Sequence, residues 1–451
     1  MNILSRIKEV FRGNPADAGS NLRNVQLSKE QLYVLDRLEK TTDHAFVTGK
    51  AGAGKSLLLR YFAATTNKTT VIVAPTGVAA MNIKGQTIHS LFKLPVGLIN
   101  PRSLRVQEET EYLLQHIDVI VIDEISMVRA DVIDGIDQVL RLARKNDLPF
   151  GGVQIIAFGD VYQLPPVVEG PALFNYFAKV YGGAYFFNAR VWRDTNLQIY
   201  ELRHVFRQSD EQFRTVLNAV RNGTFTQADL AVLNTRLANA EALSNQQDAI
   251  TLAGTNAAAS AINQRRLCEL KGKVHIYHAT ITGDPAKSAF PADNELALKV
   301  CAQVIFIKND PDGRWVNGTI GTVKSMSKHT VQVRCGKNIY EVEPTMWEQT
   351  RYYYDEQAKH IEQEVVGTFT QLPLRLAWAI TIHKSQGSTY DSVVVDLRAG
   401  AFAHGQTYVA LSRCKTLAGL HLLGEIHPED IIVDDAVANF MDNAYSSYSV
   451  S

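Results

Sequence analysis

Three groups of residues in this chain are of types that handle phosphate. In Gly49-Lys-Ala-Gly-Ala-Gly-Lys55-Ser56 the glycines let the backbone curl so that successive N–H groups face one anion. Gly49, Ala51, Gly52, Ala53, Gly54 and Leu57 would contribute backbone to that cradle, Lys55 a cation for the β and γ oxygens, and Ser56 a Mg²⁺ ligand. The apolar residues before this segment and the helical run after it are the context that a phosphate loop requires. Downstream, Val119-Ile-Val-Ile-Asp123-Glu124 reads as a buried strand ending in two carboxylates. Asp123 is expected to hold Mg²⁺, and Glu124 to orient or deprotonate an attacking water. A third apolar run leads to Gly159-Asp160 and Gln163-Leu-Pro-Pro166, where Gln163 can sense the γ-phosphate as a neutral hydrogen-bonding group.

Those elements serve many phosphate-transferring enzymes, small-molecule kinases among them, so the second half of the chain must discriminate. Arg207, in Val205-Phe-Arg-Gln208, and Arg413, in Val409-Ala-Leu-Ser-Arg413, lie far in sequence from the loop. Each is a candidate arginine finger that reaches the transferred phosphoryl group only when two domains close.

The elements that must position these groups divide the chain. Runs at 45–48, 71–74, 119–122 and 155–158 are continuously apolar, as expected of parallel strands covered on both faces by helices. An appendage is expected over 1–27, a first α/β core over 28–184, and a second over 185–298 and 373–451. The segment 299–372, with short strands and turn pairs such as Asn317-Gly318, reads as an inserted small β-barrel. Residues 93–103 mix apolar residues with Pro and Gly and fit either a protruding pin or a packed connector.

With 451 residues and 46% hydrophobic content, several cores are possible. Lys plus Arg and Asp plus Glu number 46 each, so no global basic field advertises nucleic acid, and any such contact must be a local groove. Four dispersed cysteines fit neither a paired-thiolate zinc site nor a disulfide framework. No apolar stretch is long enough for a membrane span, so the cytoplasm is the expected compartment.

Taken in order, the phosphate loop, Ala74-Pro-Thr-Gly-Val-Ala-Ala80 with Thr87-Ile-His-Ser90, Asp123-Glu-Ile-Ser126, Gly159-Asp-x-x-Gln163-Leu-Pro-Pro, Val205-Phe-Arg-Gln208, Ile380-Thr-Ile-His-Lys-Ser-Gln-Gly387 and Val409-Ala-Leu-Ser-Arg413 resemble superfamily-one helicases motif by motif. The stretch 131–154 looks like the signature insert of the PIF (petite integration frequency) group, in its compact bacterial form. The resemblance implies two RecA-like parallel-sheet domains, an SH3-like barrel inserted in the second, and a short pin insert. It implies 5′-to-3′ translocation on single-stranded DNA, driven by ATP with Mg²⁺, and unwinding of duplex, forked or structured DNA in replication, repair, recombination or telomere-type maintenance. It also implies a nucleoid-associated monomer working with replication or repair proteins.

Within the resemblance, Gln31 matches the residue that reads adenine and Gly387 a nucleotide-site position. Thr76, Thr87, His89 and Phe92, with His383, Lys384 and Ser385, fall on loops that it places toward the DNA; hydroxyl and imidazole groups suit phosphates, and a ring can stack a base. Phe92 fits the core equally well. Two other readings stay open: a DNA-stimulated ATPase or translocase that does not unwind by itself, and a small-molecule phosphotransferase.

Overall fold

The computed structural model describes residues 26–95, 97–204, 210–238, 249–283, 292–355 and 360–448. Arg207 and residues 1–25 of the expected appendage therefore lie outside the described residues.

The first core is a six-stranded sheet: β1 (His44–Gly49), β2 (Thr70–Ala74), β3 (Gln86–Thr87), β4 (Val119–Ile122), β5 (Gln154–Phe158) and β6 (Leu197–Leu202), in the order β3-β2-β4-β5-β1-β6. Every neighbouring pair is parallel. Alternation along the strands explains why they are apolar throughout. Phe46, Ile120, Ile122, Ile155 and Ala157 face one buried cluster, whereas Ala45, Val47, Val119, Val121, Ile156 and Phe158 face the other. Helices Lys29–Lys40 and Lys55–Thr65 cover the second cluster with Val34, Leu35, Leu38, Leu58 and Phe62. Helix Ala130–Arg144 covers the first with Ile133, Ile136, Val139 and Leu140.

The chain then enters the second core with β7 (Ile250–Ala253) and crosses a β-rich region: β8 (His275–His278), β9 (Thr280–Gly283), β10 (Glu295–Leu298), β11 (Gln303–Phe306), β12 (Ile320–Met326), β13 (Val331–Cys335), β14 (Asn338–Val342), β15 (Thr345–Asp355), β16 (His360–Gln371) and β17 (Leu374–Leu376). It returns through β18 (Ala379–Thr381), β19 (Val393–Asp396) and β20 (Leu420–Leu422). The second core's sheet is β18-β7-β19-β20, parallel throughout. The β-rich region holds an antiparallel sheet β14-β13-β12-β11-β17, a pair β10-β8, and a long β15–β16 hairpin extended by β9.

Two boundaries differ from the sequence expectation. The change of core expected after residue 184 comes later, because β6 pairs with β1 along its length, from His44↔Leu197 to Gly49↔Leu202. Nothing in a strand's composition says which sheet it will join. The β-rich region is also wider than 299–372, since β8, β9, β10 and β17 belong to its sheets. The hairpin reaches the first core: Tyr352 N–H donates to Gln86 Oε1 at 3.3 Å and Arg351 lies 3.5 Å from Glu109. A cavity of about 540 Å³ lies between them, lined by Lys93, Tyr112 and Tyr353 among others.

Candidate nucleotide site and interdomain cleft

Because the strands of the first sheet are all parallel, their C-terminal ends share one edge, and the candidate groups follow those ends directly. The phosphate loop follows β1, Asp123 and Glu124 follow β4, and Gly159-Asp160 follows β5. Gly54 caps helix Lys55–Thr65 with φ 85° and no side-chain bond, so the helix N-terminus keeps its amides for an anion. The Lys55 ammonium donates to Gly49 O at 2.7 Å and Lys50 O at 3.2 Å, which holds it over the loop.

Asp123 accepts from Glu124 N–H at 3.0 Å. Burial, reinforced by the Glu124 charge, pushes the Asp123 carboxyl up to about 7. Burial also raises Glu124, against the opposing pull of Lys55 and Arg413. Two desolvated carboxylates side by side need a cation, and Asp123 with the Ser56 hydroxyl suits Mg²⁺, which takes few protein ligands and completes its shell with water and phosphate.

Gln31 is the residue that the resemblance assigns to adenine. Its Oε1 accepts from Ser28 N–H at 3.0 Å within a capping box, whereas its Nε2, in a residue 1% exposed, has no partner among the described residues. A buried, unsatisfied amide donor costs roughly 1–3 kcal/mol. A purine ring nitrogen would satisfy it, so the residue fits the role that the resemblance gives it.

The opposite wall comes from the second core. Arg413 is 1% exposed and follows helix Gln406–Leu411, with Nε donating to Val409 O at 2.9 Å and a terminal nitrogen to Ser412 Oγ at 2.7 Å. Burial lowers its pKa, and Glu124 and Asp160 are among the charges that oppose the shift, so the guanidinium shares the pocket of the first core's carboxylates. Gln163 Nε2 donates to Asp160 Oδ2 at 3.4 Å, and its Oε1 accepts from Gln386 Nε2 across the cleft at 3.4 Å. Gly387 stands beside that glutamine with φ 77°.

Sequence reasoning did not find Arg221 or Tyr408. Arg221 pairs with Asp160 at 2.9 Å, with side chains 3% and 0% exposed, and lies over the Tyr162 ring at 4.1 Å. Burial pushes Asp160 up, but the Arg221 charge, then Lys55, outweigh it and leave the carboxylate below its ordinary value. Tyr408 Oη accepts from the phosphate-loop N–H of Ala51 at 3.0 Å. A signal for Arg221 existed: it adjoins the apolar stripe Phe213, Val216, Leu217 and Val220 of helix Glu211–Asn222, where an unpartnered charge would be costly.

The candidate DNA residues divide. Thr76 and Lys384 are exposed, and Thr87, His89 and His383 are half-buried. Thr87 caps helix Ile88–Phe92, and burial lowers both His89 and His383, which favours neutral imidazoles. One open alternative is resolved and one expectation is corrected. Phe92 is 1% exposed within the first core's cluster, and Ser385 is fully buried, donating to Ile382 O at 2.7 Å. The short helices carrying them turn those side chains inward. Within 93–103, Ile99 is buried and its N–H donates to Asp131 Oδ2 at 2.8 Å, Gly97 O accepts from Arg129, and Leu98 between them is exposed.

Comparison with known proteins bears on this arrangement. The PIF1-like helicase family matches residues 26–231, and the UvrD-like helicase C-terminal domain matches 376–421. The ATP-dependent DNA helicase Pif1 of Bdellovibrio bacteriovorus is 34% identical over 93% of this chain and 92% of its own length. Human ATP-dependent DNA helicase PIF1 is 35% identical over 92% of this chain, which spans 63% of that protein. The crystal structure of Bacteroides sp Pif1 with ADP-AlF4 superposes with a TM-score of 0.87 at 35% identity, covering 94% of this chain and 98% of that one. Bacteroides Pif1 bound to ssDNA gives 0.69 at 36% identity over the same shares. With a full-length bacterial relative and a matching fold, the chain belongs to the PIF1-like helicase family.

Proposed function

We propose that this chain is a DNA helicase that hydrolyses ATP between its two RecA-like cores, with Mg²⁺, and moves 5′ to 3′ along single-stranded DNA to part duplexes. The observation that carries the reading is the cleft itself. Lys55, Asp123 and Glu124 come from one core and Arg413 from the other, and the buried Glu124 carboxyl feels the charges of both Lys55 and Arg413.

In this reading Lys55 and the loop amides hold the β and γ phosphates, and Gln31 reads adenine. Ser56 and Asp123 would hold Mg²⁺, which would supply charge neutralisation on the phosphate oxygens. Glu124, next to the Mg²⁺-holding Asp123, takes the proton of the attacking water, and Gln163 orients that water. Arg413, joined by Arg207, stabilises the charge that develops on the transferred group, which requires the cores to be closed. Hydrolysis then opens the cleft, and alternating grip through Thr76, Thr87, His89, His383 and Lys384 converts closure into displacement. The segment 93–103, with Leu98 exposed, serves as the pin.

Bacteroides Pif1 has been solved bound to ssDNA, and another structure concerns DNA unwinding at forked dsDNA by two coordinating Pif1 helicases. These relatives support single-stranded and forked DNA as partners here. We further read the chain as a monomer acting at the bacterial nucleoid beside replication or repair proteins; the Bdellovibrio relative supports the bacterial setting. Among the described residues no helix is long and apolar enough to cross a membrane.

The test is ATP hydrolysis with and without single-stranded DNA, together with unwinding of 5′-tailed and 3′-tailed duplexes. Stimulated hydrolysis and unwinding of the 5′-tailed substrate alone are expected. Hydrolysis indifferent to DNA would return the phosphotransferase reading, and stimulated hydrolysis without strand separation would reduce the chain to a translocase.

A further inference from the structure

Four groups form a buried relay whose three hydrogen bonds each cross the cleft. Ala51 N–H, in the first core's phosphate loop, donates to Tyr408 Oη of the second core at 3.0 Å. Tyr408 Oη donates back to Asp160 Oδ2 of the first core at 3.5 Å. Asp160 Oδ1 accepts from Arg221 of the second core at 2.9 Å. Ala51, Tyr408, Asp160 and Arg221 are 6%, 4%, 1% and 3% exposed, so water does not stand in for any of these bonds.

We propose that Tyr408, held by the Asp160–Arg221 pair, is a positioning residue that couples filling of the phosphate loop to the placement of Arg413. The inference rests on reading the cleft as the ATP site. Tyr408 lies in helix Gln406–Leu411 and Arg413 just after its C-cap, with Arg413 Nε bonded back to Val409 O, so a shift of the tyrosine carries the arginine with it. The start of that segment has no room to move independently. Gly405, at φ 68°, packs so closely that an added Cβ would stand 2.3 Å from Tyr162 O and 2.7 Å from Gln163 O. Any change in the loop or in the Gly159-Asp160-x-x-Gln163 turn is therefore transmitted to helix Gln406–Leu411.

Two details mark the relay as poised rather than locked. The Tyr408–Asp160 bond is long, and Arg221 Nε is buried without a partner among the described residues. Arg221 grips Asp160 through one nitrogen, where a guanidinium can use two against a carboxylate. A closed cleft that turned the pair bidentate would satisfy the idle donor and draw Tyr408 with it. A buried ion pair is also a poor device for stability alone, since apolar packing serves as well or better.

The experiment uses the full chain with Tyr408→Phe, Arg221→Met and the double variant, and Asp160→Asn as a second route should the arginine variant fail to fold. ATP kcat and KM are measured on saturating single-stranded DNA, and ADP affinity is measured without DNA using a fluorescent ADP analogue. Tyr408→Phe is expected to lower kcat about tenfold or more while ADP affinity stays within about threefold, because the loop is intact and only its report is lost. The double variant is expected to be no worse than the worse single one, as for groups acting in series. Full kcat in Tyr408→Phe, multiplying effects in the double variant, or a parallel fall in ADP affinity would each overturn the inference alone. An unmodified chain without DNA-stimulated hydrolysis would overturn the ATPase reading, and this inference with it.

Discussion

Glu124 occupies φ 50°, ψ 44°, a left-handed backbone that a non-glycine residue holds at a cost of about 1–3 kcal/mol. The neighbouring 3-10 turn Ile125–Met127 and the packing of Gly159 against Ile125, where an added Cβ would stand at 2.8 Å from Cγ2, hold it there. On the proposed reading this backbone fixes the carboxylate that takes the water's proton, so loss of that carboxylate should be visible in turnover only. Glu124→Gln is expected to keep ATP affinity within a few-fold while kcat falls roughly 10²–10⁴-fold, the ordinary worth of a positioned base. Equilibrium nucleotide binding and steady-state hydrolysis check this together, and an unimpaired kcat would remove Glu124 from the chemistry. Gln31 makes the complementary case, since its idle Nε2 concerns binding and not turnover. Gln31→Ala should raise KM for ATP about tenfold, near 1.4 kcal/mol, and narrow the preference for ATP over GTP with kcat little changed. Hydrolysis of both nucleotides measured side by side decides it.

At the scale of elements, what could be read depended on whether a signal was local. The runs at 45–48, 71–74, 119–122 and 155–158 lie within or nearly match β1, β2, β4 and β5, because a strand buried on both faces must be apolar at every position. The carboxylates and the phosphate loop were legible for the same reason: their spacing is their function. Pairing is not local. β6 has an ordinary half-buried pattern, and only its partner β1 assigns it to the first core. The contacts of helix Gln406–Leu411 were equally hidden, since Tyr408 looks like any core aromatic until the loop beneath it is known. Gly405 gives the prediction for this level. Alanine there would meet two carbonyl oxygens and a left-handed φ, so Gly405→Ala should tilt the helix away from the cleft. We expect a stability loss of about 1–3 kcal/mol and a fall in kcat larger than any rise in KM, followed by thermal melting and steady-state kinetics. Equal melting temperature and kcat would show that the helix has slack the packing does not suggest.

For the molecule as a whole, the path of the chain matters as much as its sheets. After completing the second core the polypeptide returns to the first, where helix Asp435–Tyr448 buries Val437 and Met441 in the cluster under the six-stranded sheet. Phe440 stacks on Phe187 with centroids 4.2 Å apart and 6° between planes, and it also meets the Phe46 and Phe186 rings. Tyr185 Oη donates to Asp434 at 2.8 Å, and Asp434 N–H donates to His404 Nδ1 at 2.9 Å, which leaves Nε2 to donate to Val161 O at 2.9 Å. The two cores are thus tied by two covalent crossings with a hydrogen-bonded seam beside the second, so the cleft can hinge without the halves separating. In sequence, the apolar spacing of Val437, Phe440 and Met441 announces an amphipathic helix, but not the core on which it lies. Phe440→Ala removes a stacked ring that contributes to the first core alone. It should lower stability by about 1–3 kcal/mol, since the ring is only partly buried, and make unfolding of the first core precede that of the second, because the second core loses no contact of its own. Hydrogen exchange resolved along the chain distinguishes the outcomes: faster exchange in β1 and β2 with β7 and β19 unchanged is expected. Loss of protection in both sheets together would mean that the cores fold as one cooperative unit and that the return helix staples the entire motor.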